Sequence, residues 1–173
     1  MLGVGVGWLA EEFDAIGVPF ADRAARTDEY IAVMRELWSA EEPTFHGEFV
    51  DFDAIYCRPQ PLKGSVPIII GGHSKAAARR AGRLGDGFFP ARGASRELID
   101  LVKRSATDAG RDADAIEVTT SLPDDLDELP ELAKAGVHRV LVPVTGIAGL
   151  ARVIDSPGDA AHWRETIDRY AEL

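Results

Sequence analysis

Apolar positions along this chain follow two alternating periods. Residues 2–7 (Leu-Gly-Val-Gly-Val-Gly) and residues 66–70 (Val-Pro-Ile-Ile-Ile) read as short strands, the second apolar enough to be buried on both faces. Between them Tyr30, Val33, Met34, Leu37 and Trp38 fall on one face of a helix over residues 28–38. Thr27 is its expected N-cap, and Asp28 and Glu29 suit its positive end. Ser74 caps an alanine-rich helix to about residue 84, with Arg79, Arg80 and Arg83 in its last turns and Gly85 beyond. A short strand at 87–90, a helix from Ser95 to about 109 and a strand at 116–121 follow. Then come a helix at 129–135 stopped by Gly136, a strand at 138–144 and a last helix over about 160–171. Residues 40–65 interrupt the rhythm: Pro43, Gly47, Pro59, Pro61 and Gly64 punctuate a long excursion containing Phe45, Phe49, Phe52 and Tyr56. A loop of that length is usually functional.

Alternating strands and helices imply a parallel sheet with helical crossovers, an α/β fold in a single domain over residues 1–173. Two architectures satisfy the order: an open doubly wound sheet, or part of a (β/α)8 barrel. A full barrel takes about 250 residues. Five βα units, counted alone, favour the open sheet.

Composition adds exclusions. The 173 residues are 46% hydrophobic and 28% charged, which is ordinary for a globular domain and excludes general disorder. Nineteen basic against 29 acidic residues give −10, an unfavourable charge for nucleic acid or an anionic membrane. Residues 108–131 hold nine acids and one base (Arg111), and read as a solvated face. Cys57 is the sole cysteine, so an internal disulfide and a CxxC site are excluded. A reducing, cytoplasmic compartment is expected. The apolar N-terminus has no basic region and meets Glu11 and Glu12, unlike a signal peptide, and the run at 66–70 is too short to span a bilayer.

Candidate chemistry centres on Ile70-Gly71-Gly72-His73-Ser74-Lys75, where a buried strand passes through two glycines into a helix. Glycine lets the backbone approach a ligand, and the free N–H groups of a first helical turn suit a phosphate. The same residues also fit a plain βα turn with a serine cap. Gly3, Gly5 and Gly7 alternate, so one face of the first strand is bare, either for a flat ligand or for close packing or a bend. His46, His73, His138 and His162 have no metal-ligand spacing, so no metal is expected; His138 and His162 read as surface residues. Asp86, between two glycines, fits a turn support better than a ligand contact, and Cys57 beside Arg58 reads as incidental. Neither a GxSxG elbow nor a Ser/His/Asp constellation is present. Trp8, Trp38 and Trp163 read as packing residues, with Trp8 set apart by following the glycine-rich strand.

Several motifs together resemble the luciferase-like monooxygenases. They are Leu2-Gly3-Val4-Gly5-Val6-Gly7-Trp8 with Glu11-Glu12-Phe13, Gly17-Val18-Pro19-Phe20, Arg23 and Arg26-Thr27-Asp28-Glu29-Tyr30. Leu37-Trp38, Phe45-His46-Gly47-Glu48-Phe49, Pro59-Gln60-Pro61, Pro67–Gly72 and Leu84-Gly85-Asp86-Gly87-Phe88 continue the series. The likeness is greatest to the branch that uses the deazaflavin coenzyme F420, and its motifs run to about residue 93. It implies an incomplete TIM (β/α)8 barrel of about five parallel βα units, with residues 2–7 near the family's fourth strand and the first three units absent. It implies a phosphate turn at Gly71, Gly72, His73 and Ser74, and a glycine-rich strand, Gly5 and Gly7 with Trp8, along the cofactor's flat rings. Flavin-dependent luciferases carry an arginine on that strand, whereas Val6-Gly7-Trp8 has none, which favours F420 over FMN. The family's chemistry is hydride transfer between the deazaflavin and an organic substrate. Residues 40–65 would form part of the rim, with Phe45 and Tyr56 as substrate contacts. The usual acid–base side chains come from the first three strands, so no catalytic residue is named; an FMN-dependent monooxygenase and a non-catalytic, shortened cofactor-binding dimer are the alternatives.

Overall fold

The computed structural model describes residues 1–90, 93–142, 156–161 and 163–171. Strand β1 (Leu2–Val4) leads to helices α1 (Ala10–Ala15) and α2 (Arg23–Ser39) and to a hairpin, β2 (Phe45–His46) and β3 (Asp51–Phe52). The regular part follows: β4 (Ile68–Gly71), α3 (Lys75–Leu84), β5 (Gly87–Phe89), α4 (Arg96–Asp108), β6 (Glu117–Ser121), α5 (Leu129–Lys134) and β7 (Arg139–Leu141). Two short helices, α6 (Pro157–Ala161) and α7 (Arg164–Tyr170), stand where one was expected. Pro143, Val144 and His162 lie outside the described residues.

Five strands form one sheet in the order β1-β4-β5-β6-β7, every pairing parallel. Leu2 stands opposite Ile68, Ile69 opposite Gly87, Phe88 opposite Val118 and Thr119 opposite Arg139. Alternation sends Ile68, Ile70 and Phe88 to the helical side, where they bury against Ala77, Ala78, Ala81, Leu98, Val102 and Ala106. Asp86 supports its turn, accepting from the Ile68 amide (2.9 Å) and from Arg35 (3.0 Å).

The other face is concave. Arg139 Nη1 lies 3.5 Å from Met1 Sδ, although β1 and β7 are opposite edges of the sheet. A five-stranded parallel sheet curled this far is an incomplete (β/α)8 barrel rather than an open, doubly wound sheet.

The local differences from expectation have physical causes. Strand β1 ends at Val4 and does not reach residue 7. Thr27 is not a cap: α2 begins four residues earlier, at Arg23, and the Thr27 hydroxyl donates back to the Arg23 carbonyl at 2.7 Å. Ser74 and Ser95 do cap, accepting from the amides of Ala77 (3.1 Å) and Leu98 (3.3 Å). Residues 40–65 contain the β2–β3 hairpin, and they pack along α2 and its C-terminal end. Gln60 donates to the carbonyls of Leu37 and Ala40, and Tyr56 donates to Glu42 at 2.9 Å. The hairpin also reaches the C-terminal end of β1, where Val50 joins Val4, Gly5, Thr27, Tyr30, Val33 and Met34 around a second hollow.

Candidate functional site

The turn after β4 is built by three local causes. Ile68, Ile69 and Ile70 bury the strand, Ser74 fixes the start of α3, and Gly72 makes the bend between them. Gly72 has φ +137°, and a Cβ there would stand 2.9 Å from the Ala77 Cβ, so a larger residue is excluded twice. Its amide donates to the Phe89 carbonyl at 3.1 Å, tying the turn to the end of β5. Among the described residues the amides of His73, Ser74, Lys75 and Ala76 have no acceptor. His73, Ser74 and Lys75 are exposed. A row of free donors at a helix start attracts an anion.

Lys75 is the first residue of α3, and its ammonium lies 2.7 Å from Glu97 Oε1 in the first turn of α4. That hydrogen bond and charge hold the Glu97 carboxyl below its ordinary range.

Beside the turn lies the concave face, a hollow of about 490 Å³. Gly3, Gly5, Gly71, Ile69, Phe89 and Leu141 line it, with Thr119 and Arg139 as its polar members. A Cβ on Gly3 or Gly5 would meet nothing within 4 Å, so these two glycines leave open space.

The structure therefore brings Gly5 and Gly71 to the hollow, and Gly72, His73 and Ser74 to the adjoining turn. Gly7 and Trp8 do not line it. Gly7 lies beyond the strand at φ +78°, and a Cβ there would strike the Phe13 ring at 2.6 Å, so it serves the turn into α1. Trp8 stands 82% exposed beyond the end of β1. Arg139, Thr119 and the Lys75–Glu97 pair escaped the sequence reading; the alternation of Arg139 with Leu141 was the available signal for the first. His138 is exposed, yet its Nδ1 accepts the Val118 amide at 3.0 Å and so stands in for a ladder partner. Among the described residues no cluster of metal-ligating side chains occurs, and no helix is long and apolar enough to cross a membrane.

The family model of the luciferase-like monooxygenases matches residues 1–172. The chain belongs to that family. Within it, the chain is 36% identical over 168 residues to the F420-dependent glucose-6-phosphate dehydrogenase of Mycolicibacterium smegmatis, covering 90% of this chain and 48% of that enzyme. An uncharacterised protein of Mycobacterium tuberculosis is 42% identical over 113 residues, 64% of this chain and 38% of its own. Among solved structures, an F420-dependent secondary alcohol dehydrogenase in complex with an F420-acetone adduct superposes with a TM-score of 0.59 at 26% identity. The match covers 75% of this chain and 43% of that one. The chain thus spans about half the length, or less, of these curated relatives.

Proposed function

We propose that this chain binds coenzyme F420 and serves an oxidoreductase that passes a hydride between the deazaflavin and an organic substrate. The observation that carries the reading is the juxtaposition of a bare glycine face with a turn of free amides at the end of β4. The names of relatives that align with 90% of the chain support the same cofactor.

Gly3 and Gly5 would let the flat rings lie against the backbone, and Phe89 and Leu141 would exclude water from them. The amides at 73–76 would hold the phosphate and thereby fix the rings' position along the sheet. Bound deazaflavin supplies a carbon that gives or takes a hydride. This chain's residues bind and orient; none is assigned an acid–base role.

The variant Ser74→Asp tests the turn. Aspartate caps a helix as well as serine does, so α3 keeps its start while a full negative charge is set beside the free amides of residues 73–76. Fluorescence titration with F420 is expected to show affinity reduced by about tenfold or more, roughly the 1.4 kcal/mol of one charged contact. Unchanged affinity in a folded Ser74→Asp chain contradicts the assignment. FMN, titrated in parallel, is expected to bind more weakly than F420.

A further inference from the structure

We propose that Thr119 and Arg139 form a two-donor site for carbonyl oxygens on the β6–β7 side of the hollow, and that this site decides which edge of a flat ring system faces those strands. The inference rests on reading the hollow as the seat of the cofactor's rings and names the contact that orients them. The turn after β4 plays no part in it.

Two neighbouring side chains carry the argument. Thr119 is 5% exposed and lines the hollow, and among the described residues its hydroxyl has no hydrogen-bond partner. A buried hydroxyl left in that state is costly, and a ligand atom that pairs with it removes the cost. Arg139 stands directly opposite Thr119 in the parallel ladder and lines the same hollow. Its Nη2 donates to both Glu117 carboxylate oxygens, at 3.1 and 2.9 Å. Among the described residues its Nη1 meets only the Met1 sulfur, at 3.5 Å. A thioether is a weak acceptor, so Nη1 keeps its N–H groups for a stronger one. Glu117 balances the guanidinium's charge, and what the hollow receives is a hydrogen-bond donor rather than an unpaired charge. That suits a neutral carbonyl oxygen.

Placement then sets the ligand. Met1, Gly3 and Gly5 all line the hollow along one strand, so the Met1 contact puts Nη1 at the foot of the bare glycine stripe. Ile69, Phe89 and Leu141 make the rest of the lining apolar. A ring system resting on the stripe finds donors at one edge and hydrocarbon elsewhere. Flavins and deazaflavins carry both ring carbonyls on the pyrimidinedione end of the tricycle, and the opposite end has none. The pyrimidinedione end therefore turns toward β6 and β7, its oxygens accepting from Arg139 Nη1 and the Thr119 hydroxyl.

The test uses ring probes without a phosphate: lumiflavin, which has the pyrimidinedione, and phenazine, a fused tricycle without oxygen. Both are titrated by equilibrium dialysis into the wild-type chain, Thr119→Val, Arg139→Lys and Gly5→Val. Valine keeps the shape of threonine and lysine keeps a cation facing Glu117, so the fold is retained; circular dichroism checks this. Thr119→Val is expected to weaken lumiflavin about fivefold and Arg139→Lys about tenfold, with phenazine changed by less than about twofold. Gly5→Val is expected to weaken both probes, because its side chain enters the open space where the rings lie. Lumiflavin binding that is unchanged in either Thr119→Val or Arg139→Lys, or is weakened no more than phenazine, overturns the two-donor site, while the loss in Gly5→Val still upholds the ring site. If Gly5→Val spares both probes, or the folded wild-type chain binds neither, the ring site falls and this inference falls with it.

Discussion

Arg80 shows how single residues join the elements of this fold. Its side chain is only 8% exposed, and its Nε donates to Asp28 of α2, which also receives Arg83 at 2.9 Å. Removing the carboxylate leaves a buried guanidinium without its counter-charge. Asp28→Ala is therefore expected to lower stability by about 2 kcal/mol, measured by urea denaturation. A loss below about 0.5 kcal/mol would mean that the pair is no more than a surface contact. His46 offers a pH-dependent case. Its Nδ1 lies 2.9 Å from Asp51 and its Nε2 lies 3.2 Å from Asp53, so the imidazolium is favoured and its pKa rises above the ordinary 6.5. The folded value being the higher, this stabilisation is fully present below the unfolded pKa and fades as pH rises through the folded one. The melting temperature is expected to fall more steeply across that window in the wild type than in His46→Gln. Parallel curves would show that the contacts do not couple to folding.

Among the elements, α3 and α4 approach most closely at Gly82. A Cβ there would lie 2.4 Å from the Val102 carbonyl oxygen and 2.8 Å from the Ala106 amide, both backbone atoms. Gly82→Ala is expected to cost about 1–3 kcal/mol through forced separation of the helices, despite alanine's better helix propensity. An unchanged or raised denaturation midpoint would show that the helices can part freely. This scale also separates what was legible in the sequence from what was not. The β4–α3 segment was legible because its causes are local: three isoleucines, two glycines and a serine cap within seven residues. The hairpin at 45–52 was not, because each strand has two residues and a residue from another element holds the turn. Burial pushes the Glu29 carboxyl up, but the amides of Phe49, Glu48 and Val50, at 2.7–2.8 Å, outweigh that and hold it below its usual range. No spacing announces that contact. For the same reason Thr27 resembled a cap; its hydroxyl serves the inside of a longer helix.

For the molecule as a whole, the strand count alone pointed to an open sheet, while the family likeness pointed to the partial barrel that the curl now describes. Curvature is a property of all five strands together, and no local pattern encodes it. The hollow shares that origin: Gly5 and Gly71 were foreseen separately, but Arg139 and Thr119 join them only once the sheet bends. Among the described residues β1 and β7 stand at the two ends of the strand order, and the curl brings Met1 and Arg139 together across them.

The central claim is that the turn after β4 and the adjoining glycine face hold the cofactor. Amide chemical-shift mapping of the 173-residue chain during addition of F420 tests it most directly. The largest shifts are expected at residues 72–76, with a second group at Gly3, Gly5 and Gly71. Saturable binding with its shifts centred elsewhere, for instance on the hairpin at 45–52, would contradict it.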